Sequence, residues 1–87
     1  MMERVIVLIS KYNEITKLIP LNENIYKVDF TENPYCCRII YNQDNSIEAF
    51  DPPGGPFISI GYEVLPNLKV TSICIDENTK DLLVTLE

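Results

Sequence analysis

Histidine and tryptophan are absent from this 87-residue chain, and glycine occurs only three times. Without histidine, the commonest general base and the usual partner of a serine or cysteine nucleophile are missing. A zinc site wants about four Cys or His ligands at recognisable spacing, and the chain does not supply them. Positive charge is scarce too: seven Lys and Arg stand against thirteen Asp and Glu, for a formal charge of −6, with no basic run. Binding to a phosphate backbone needs clustered cations, so neither direct nucleic-acid contact nor adsorption on an anionic membrane is expected. No apolar stretch approaches the roughly 20 residues that span a bilayer. Val5 to Ile9 is too short for a signal peptide and no small-residue cleavage site follows it. A cytoplasmic location is expected.

The three cysteines fit the same picture. Cys36 and Cys37 are adjacent, Cys74 is remote, and an odd count is a poor disulfide framework. Reduced thiols packed as small hydrophobes are expected.

What is present reads as a β protein. Apolar residues make up 46% of the chain and charged ones 23%, the balance of a globular protein, and 87 residues suit a single domain over 1–87 with one modest core. Turn-forming clusters recur about every ten residues: Lys11-Tyr12-Asn13, Leu21 to Asn24, Thr31 to Pro34, Asn42 to Asn45, Asp51 to Pro56, Pro66-Asn67 and Asp76 to Thr79. Short strands at such spacing predict an all-β antiparallel meander of seven or eight strands, curled into a small half-open barrel or sandwich.

Period-2 alternation marks the individual strands. Tyr26, Val28 and Phe30 form one inner face. Tyr35, Cys37, Ile39 and Tyr41 oppose Cys36, Arg38 and Ile40, while Ile58, Ile60, Tyr62 and Val64 oppose Phe57, Ser59 and Gly61. Leu68 to Ile75 and Asp81 to Leu86 make a hairpin around Asp76 to Lys80, whose Asp and Asn tolerate left-handed conformations, with Leu82, Val84 and Leu86 as its buried row. Ser10 to Pro20 is ambiguous. Ser10 suits a helix cap and Tyr12, Ile15, Leu18 and Ile19 have helical spacing, but a strand over Glu14 to Ile19 keeps the rhythm and is favoured.

All three glycines (Gly54, Gly55, Gly61) and three of the six prolines fall within Asp51 to Gly61. Glycine admits positive φ or close approach, and proline sets φ beforehand. Backbone N–H groups around Gly54-Gly55 can cradle an anion, with hydroxyls from Ser59 and Tyr62, a stacking face from Phe57, and Arg38, Lys27 or Lys69 as cations. The competing reading is a hairpin or bulge connection. No P-loop or dinucleotide signature is present. Catalysis by Asp51 with Glu48 or Glu63, or by a Cys36-Cys37 thiol beside Arg38, is outweighed by turn, surface and core roles for these residues. An exposed β edge is a third route to binding, for dimerisation or docking on a protein.

Gly54-Gly55-Pro56-Phe57-Ile58-Ser59-Ile60-Gly61 resembles a Gly-Gly-Pro-x-Ile-x-Val/Ile-Gly stretch of small all-β bacteriophage and mobile-element proteins. The resemblance covers the second half of the chain and transfers no residue roles. It implies a non-catalytic counter-defence protein, either a sponge for nucleotide signals or an inhibitor of a host enzyme. The expectation is a homo-oligomeric, non-enzymatic binding protein without cofactor or metal. It takes a small anionic, nucleotide-type ligand at Gly54, Gly55, Phe57, Ser59, Tyr62 and Arg38. The alternative is an acidic inhibitor that docks on a host protein, mimicking nucleic-acid charge.

Overall fold

The computed structural model describes residues 4–9, 15–30, 38–52 and 56–87. The expectations for Ser10 to Glu14, Tyr35, Cys36, Cys37, Gly54 and Gly55, and for the Phe30 side chain, lie outside the described residues. The fold is all-β, with nine strands among those residues: β1 (Ile6–Ile9), β2 (Ile15–Pro20), β3 (Ile25–Phe30), β4 (Arg38–Tyr41), β5 (Ile47–Asp51), β6 (Ile58–Ser59), β7 (Glu63–Leu65), β8 (Leu68–Ile75) and β9 (Leu82–Leu86).

Every pairing is antiparallel; short connections dictate this between sequential strands, and β3 and β9, far apart in the chain, pair antiparallel as well. Strands β1 to β3 form one meander and β7 to β9 another. Pairing of β3 with β9 joins them into a six-stranded sheet of order β1-β2-β3-β9-β8-β7. Strands β4 to β6 form a separate three-stranded sheet. The region favoured as a strand within Ser10 to Pro20 is β2, where alternation buries Thr16 and Leu18.

The two sheets share one core. Ile6, Leu8, Leu18, Val28, Val64, Val70, Ile73, Leu82, Val84 and Leu86 come from the large sheet, and Ile47, Phe50 and Ile58 from the small one. Since Ile6 on the edge strand belongs to the same cluster as Ile58, the large sheet curls around the small one as a half-open barrel. The row Leu82, Val84 and Leu86 is buried as expected. No buried side-chain polar atom among the described residues lacks a hydrogen-bond partner.

Three local departures from strict alternation shape the structure. The run Ile58 to Val64 is not one strand. Tyr62 N–H donates to the Ser59 carbonyl at 3.0 Å, and Gly61 takes φ +91° at the third position of this turn, where a type II turn requires positive φ. The chain thereby leaves the small sheet and enters the large one. Gly61 N–H donates to the Val70 carbonyl (2.7 Å) and Val70 N–H to the Tyr62 carbonyl (2.9 Å), which fixes the corner on β8. Ile60 is consequently exposed, not core. A second irregularity lies between Val70 and Ser72, where Thr71 is the extra residue of a bulge. It places Val70 and Ile73 inward and leaves Cys74 exposed, so this free thiol is not packed as a core hydrophobe. A third, between Ile40 and Tyr41, puts Ile39 against the core while Tyr41 is exposed, so the two do not share one buried face.

Side-chain acceptors hold the hairpin loops. Asp44 Oδ1 accepts from the Ser46 N–H (3.0 Å) and hydroxyl (2.6 Å), and Asp76 Oδ1 accepts from the N–H groups of Asn78 (2.8 Å) and Thr79 (3.1 Å). Left-handed backbone falls on Asn45 and Asn67, and in the last hairpin on Lys80 rather than on its Asp or Asn. Lys80 N–H donates to the Asp76 carbonyl at 2.8 Å, which fixes that geometry.

Two predictions follow from this packing and these turns. A Cβ on Gly61 meets nothing within 4 Å, so Gly61→Ala costs only the positive-φ strain, about 1–2 kcal/mol. Phe50→Ala empties a fully buried site and costs about 3–5 kcal/mol. Urea unfolding that ranks Gly61→Ala as the more damaging change would refute this account of the corner. Hydrogen bonds from Ser46 hold the Asp44 carboxyl below its ordinary range, and those from Thr79 and Asn78 do the same for Asp76. A depressed folded-state value gives stability that is present above the unfolded value of about 3.9 and is lost as pH falls through the folded value. The Asp44→Asn, Asp76→Asn double variant, measured by denaturant unfolding across that acid range, should lose stability with a shallower slope than wild type. An unchanged slope would mean that the two turns carry no linkage.

Candidate functional site

The small sheet brings together part of the expected anion site. Arg38 registers opposite Asp51, and Phe50 pairs with both Ile39 and Ile58. Phe57, immediately before Ile58, therefore stands at the same end of the sheet, and Arg38, Asp51 and Phe57 gather where β5 leaves and β6 begins. Arg38 and Phe57 are exposed. Ser59 lies further along, paired with Ala49. Tyr62 is separated from this group, because the Gly61 turn carries it to the large sheet, where it packs half-buried on the core. Lys27 and Lys69 also belong to the large sheet. Asp51 to Gly61 is thus two features: a connection between β5 and β6 that holds buried Pro52, and an independent corner at Gly61.

The carboxylates do not converge either. Glu48 and Asp51 are exposed on β5, whereas Glu63 lies on β7 and its Oε2 accepts from the Asn67 N–H at 3.3 Å, bracing the Pro66-Asn67 turn. Among the described residues no three His, Cys, Asp or Glu side chains form a metal-holding group. No helix among them is long and apolar enough to cross a membrane. An open, mainly apolar cleft of about 350 Å³ runs between the β4–β5 hairpin and β8, lined by Tyr41, Asn45, Ser46, Ile47, Ile73, Cys74 and Ile75.

The four sheet edges differ sharply. An edge strand leaves N–H and C=O groups free to pair with another chain, and proteins blunt such edges with short length, charge, proline or bulges. Strand β6 has two residues. Strand β7 has three, with exposed Glu63, an irregular register and Pro66 directly after it. Strand β4 carries exposed Arg38 and the bulge at Ile40/Tyr41. Strand β1, four residues long like β4 and preceded by exposed Arg4, lacks the other devices: Val5 to Ile9 contains no charge, proline or bulge, and among the described residues β1 pairs, in unbroken register, with β2 on one side only.

The side chains of β1 reinforce the contrast. Ile6 and Leu8 are buried, while Val5, Val7 and Ile9 are 49%, 47% and 59% exposed. Directly paired residues share a face, so Ile9 adjoins Ile15, and Val7 adjoins Lys17, which in turn adjoins Asp29. An aliphatic row therefore lies open along an unguarded edge. The sequence reading did not single out these residues. Their signal was five consecutive aliphatics, a pattern of strands buried on both faces, here with one face uncovered.

The chain matches no known family model, and no curated protein and no solved structure shows significant similarity to it.

Proposed function

We propose that this is a non-enzymatic protein-interaction module that binds by adding a strand to the edge of β1. The observation that carries the reading is the row Val5, Val7 and Ile9, exposed on the edge that is least protected among the described residues. Strand addition draws affinity from main-chain hydrogen bonds and specificity from alternate side chains, and both are on offer here. This is the protein-docking alternative with a different contact. The surface is apolar rather than acidic, so charge mimicry of a nucleic acid is not needed. It also suits the inhibitor branch of what the Gly54 to Gly61 resemblance implies.

Capture from a lysate of the producing cells compares wild type with Val7→Lys and Glu48→Lys. Chains retained by wild type and Glu48→Lys, whether another protein or untagged copies of this one, tolerant of added salt and missing from Val7→Lys, are the expected result. A retained set indifferent to Val7→Lys sinks the reading.

A second reading keeps one observation, the gathering of Arg38 and Phe57 beside the β5–β6 connection. A cation and an aromatic face suit a nucleotide-type anion, although Asp51 stands directly across from Arg38. Calorimetry against a nucleotide panel should then show heat that Arg38→Ala removes, and a flat titration with every nucleotide ends this reading.

A further inference from the structure

The segment Val5-Ile6-Val7-Leu8-Ile9 has the same physical pattern read in either direction. About Val7, buried aliphatics stand one step away on each side (Ile6, Leu8) and exposed β-branched residues two steps away (Val5, Ile9). An antiparallel partner with the same segment, centred on the same residue, meets an equivalent at every position. Ile6 would face Leu8 of the partner subunit, and Val5 would face Ile9 of the partner subunit. We infer that the occupant of the β1 edge is a second copy of this chain, paired antiparallel with Val7 against the partner subunit's Val7, so that two six-stranded sheets become one. This rests on the reading of β1 as the binding surface.

Charge favours the same occupant. Two chains of −6 repel as wholes, yet none of the thirteen acidic residues lies in Val5 to Ile9. The central row runs Asp29, Lys17, Val7 and then the partner subunit's Val7, so each half holds one cation and one anion and is neutral. The next outer row is aliphatic on both sides of the seam, from Ile15 through Ile9 to the partner subunit's Val5. A charged partner strand finds nothing in β1 to recognise it, whereas an identical one finds matched apolar side chains and free backbone groups. The contact is isologous and closes on a two-fold axis.

That axis gives a specific test. In a background with Cys36, Cys37 and Cys74 replaced by Ser, Val7→Cys puts the two thiols on neighbouring strands about 4.5–5.5 Å apart between Cα atoms, inside the disulfide range of about 4.4–6.8 Å. Added oxidant should yield a covalent dimer. Val5→Cys alone should not, because the two copies lie roughly 14 Å apart along the strands at about 3.4 Å per residue. A mixture of Val5→Cys and Ile9→Cys chains should cross-link.

Sedimentation of the wild-type chain should show a dimer that tightens with added salt, since salt screens the repulsion between two acidic chains. Val7→Lys places like charges against each other on the axis and should raise the dissociation constant about tenfold or more, with circular dichroism unchanged. Val7→Thr keeps the β-branched shape and should remain dimeric. Val5→Cys cross-linking as readily as Val7→Cys overturns the register. A monomer at every soluble concentration overturns the second copy as occupant, and the lysate capture then separates the two claims: Val7-dependent retention of another protein leaves the edge reading standing, and Val7-independent retention removes it too.

Discussion

The packing of Phe50 and Ile58 from the small sheet into the concave face of the large one is the contact on which the rest depends. Strands lie about 4.8 Å apart, so three strands span roughly 10 Å and six roughly 24 Å. A flat large sheet would leave half of its inner face wet. It curls instead, bringing Ile6 and Leu8 of the edge strand into the same cluster as Phe50, and that curl commits the inner face wholly to the core. The small sheet, packed chiefly through β5 against β8, cannot also cover the outer face. What remains uncovered therefore follows from the core: an outer face with half-buried Ile15, Ile19, Ile25 and Leu83, ending at the exposed row of β1.

Much of this architecture was legible from period and punctuation. The strand pair Leu68 to Ile75 and Leu82 to Leu86 was plain because its alternation is long and its loop carries Asp76, whose carboxylate accepts two loop N–H groups. Within the described Ile15 to Pro20, helical spacing lost to the strand rhythm, since an amphipathic stripe has value only against a surface that can take it. Two misreadings share one cause. Alternation was extended across Ser59 to Tyr62, where a turn resets the phase, and from Ile39 to Tyr41, where the register against β5 shifts at Glu48. Only at Gly61 did residue type announce the break, and there the glycine was assigned to its neighbours Gly54 and Gly55 rather than to a corner of its own.

The proposed binding surface was far less legible. Glycine and proline density is a property of composition, and it drew the reading to Asp51 to Gly61, where the Gly61 turn carries Tyr62 out of the small sheet that Arg38 and Ser59 belong to. Being an edge is a property of topology. Val5 to Ile9 becomes one only because β3 pairs with β9 on its far side, between residues nearly sixty positions apart in the chain. No local pattern reports such a pairing. The aliphatic run did report that both faces of β1 are apolar, and the structure adds which of the two the core uses.

An unguarded edge is an aggregation hazard unless its pairing is self-limiting. The proposed pairing of β1 with a second β1 would use up the least protected edge among the described residues of each chain. The outer edges of the joined sheet are then two copies of β7, each three residues long, carrying exposed Glu63 and stopped by Pro66. A further chain finds no strand there long enough to nucleate on and meets a body of doubled negative charge. On the proposed pairing, the protections on β4, β6 and β7 make sense beside their scarcity on β1, because together they would permit one association and block the next.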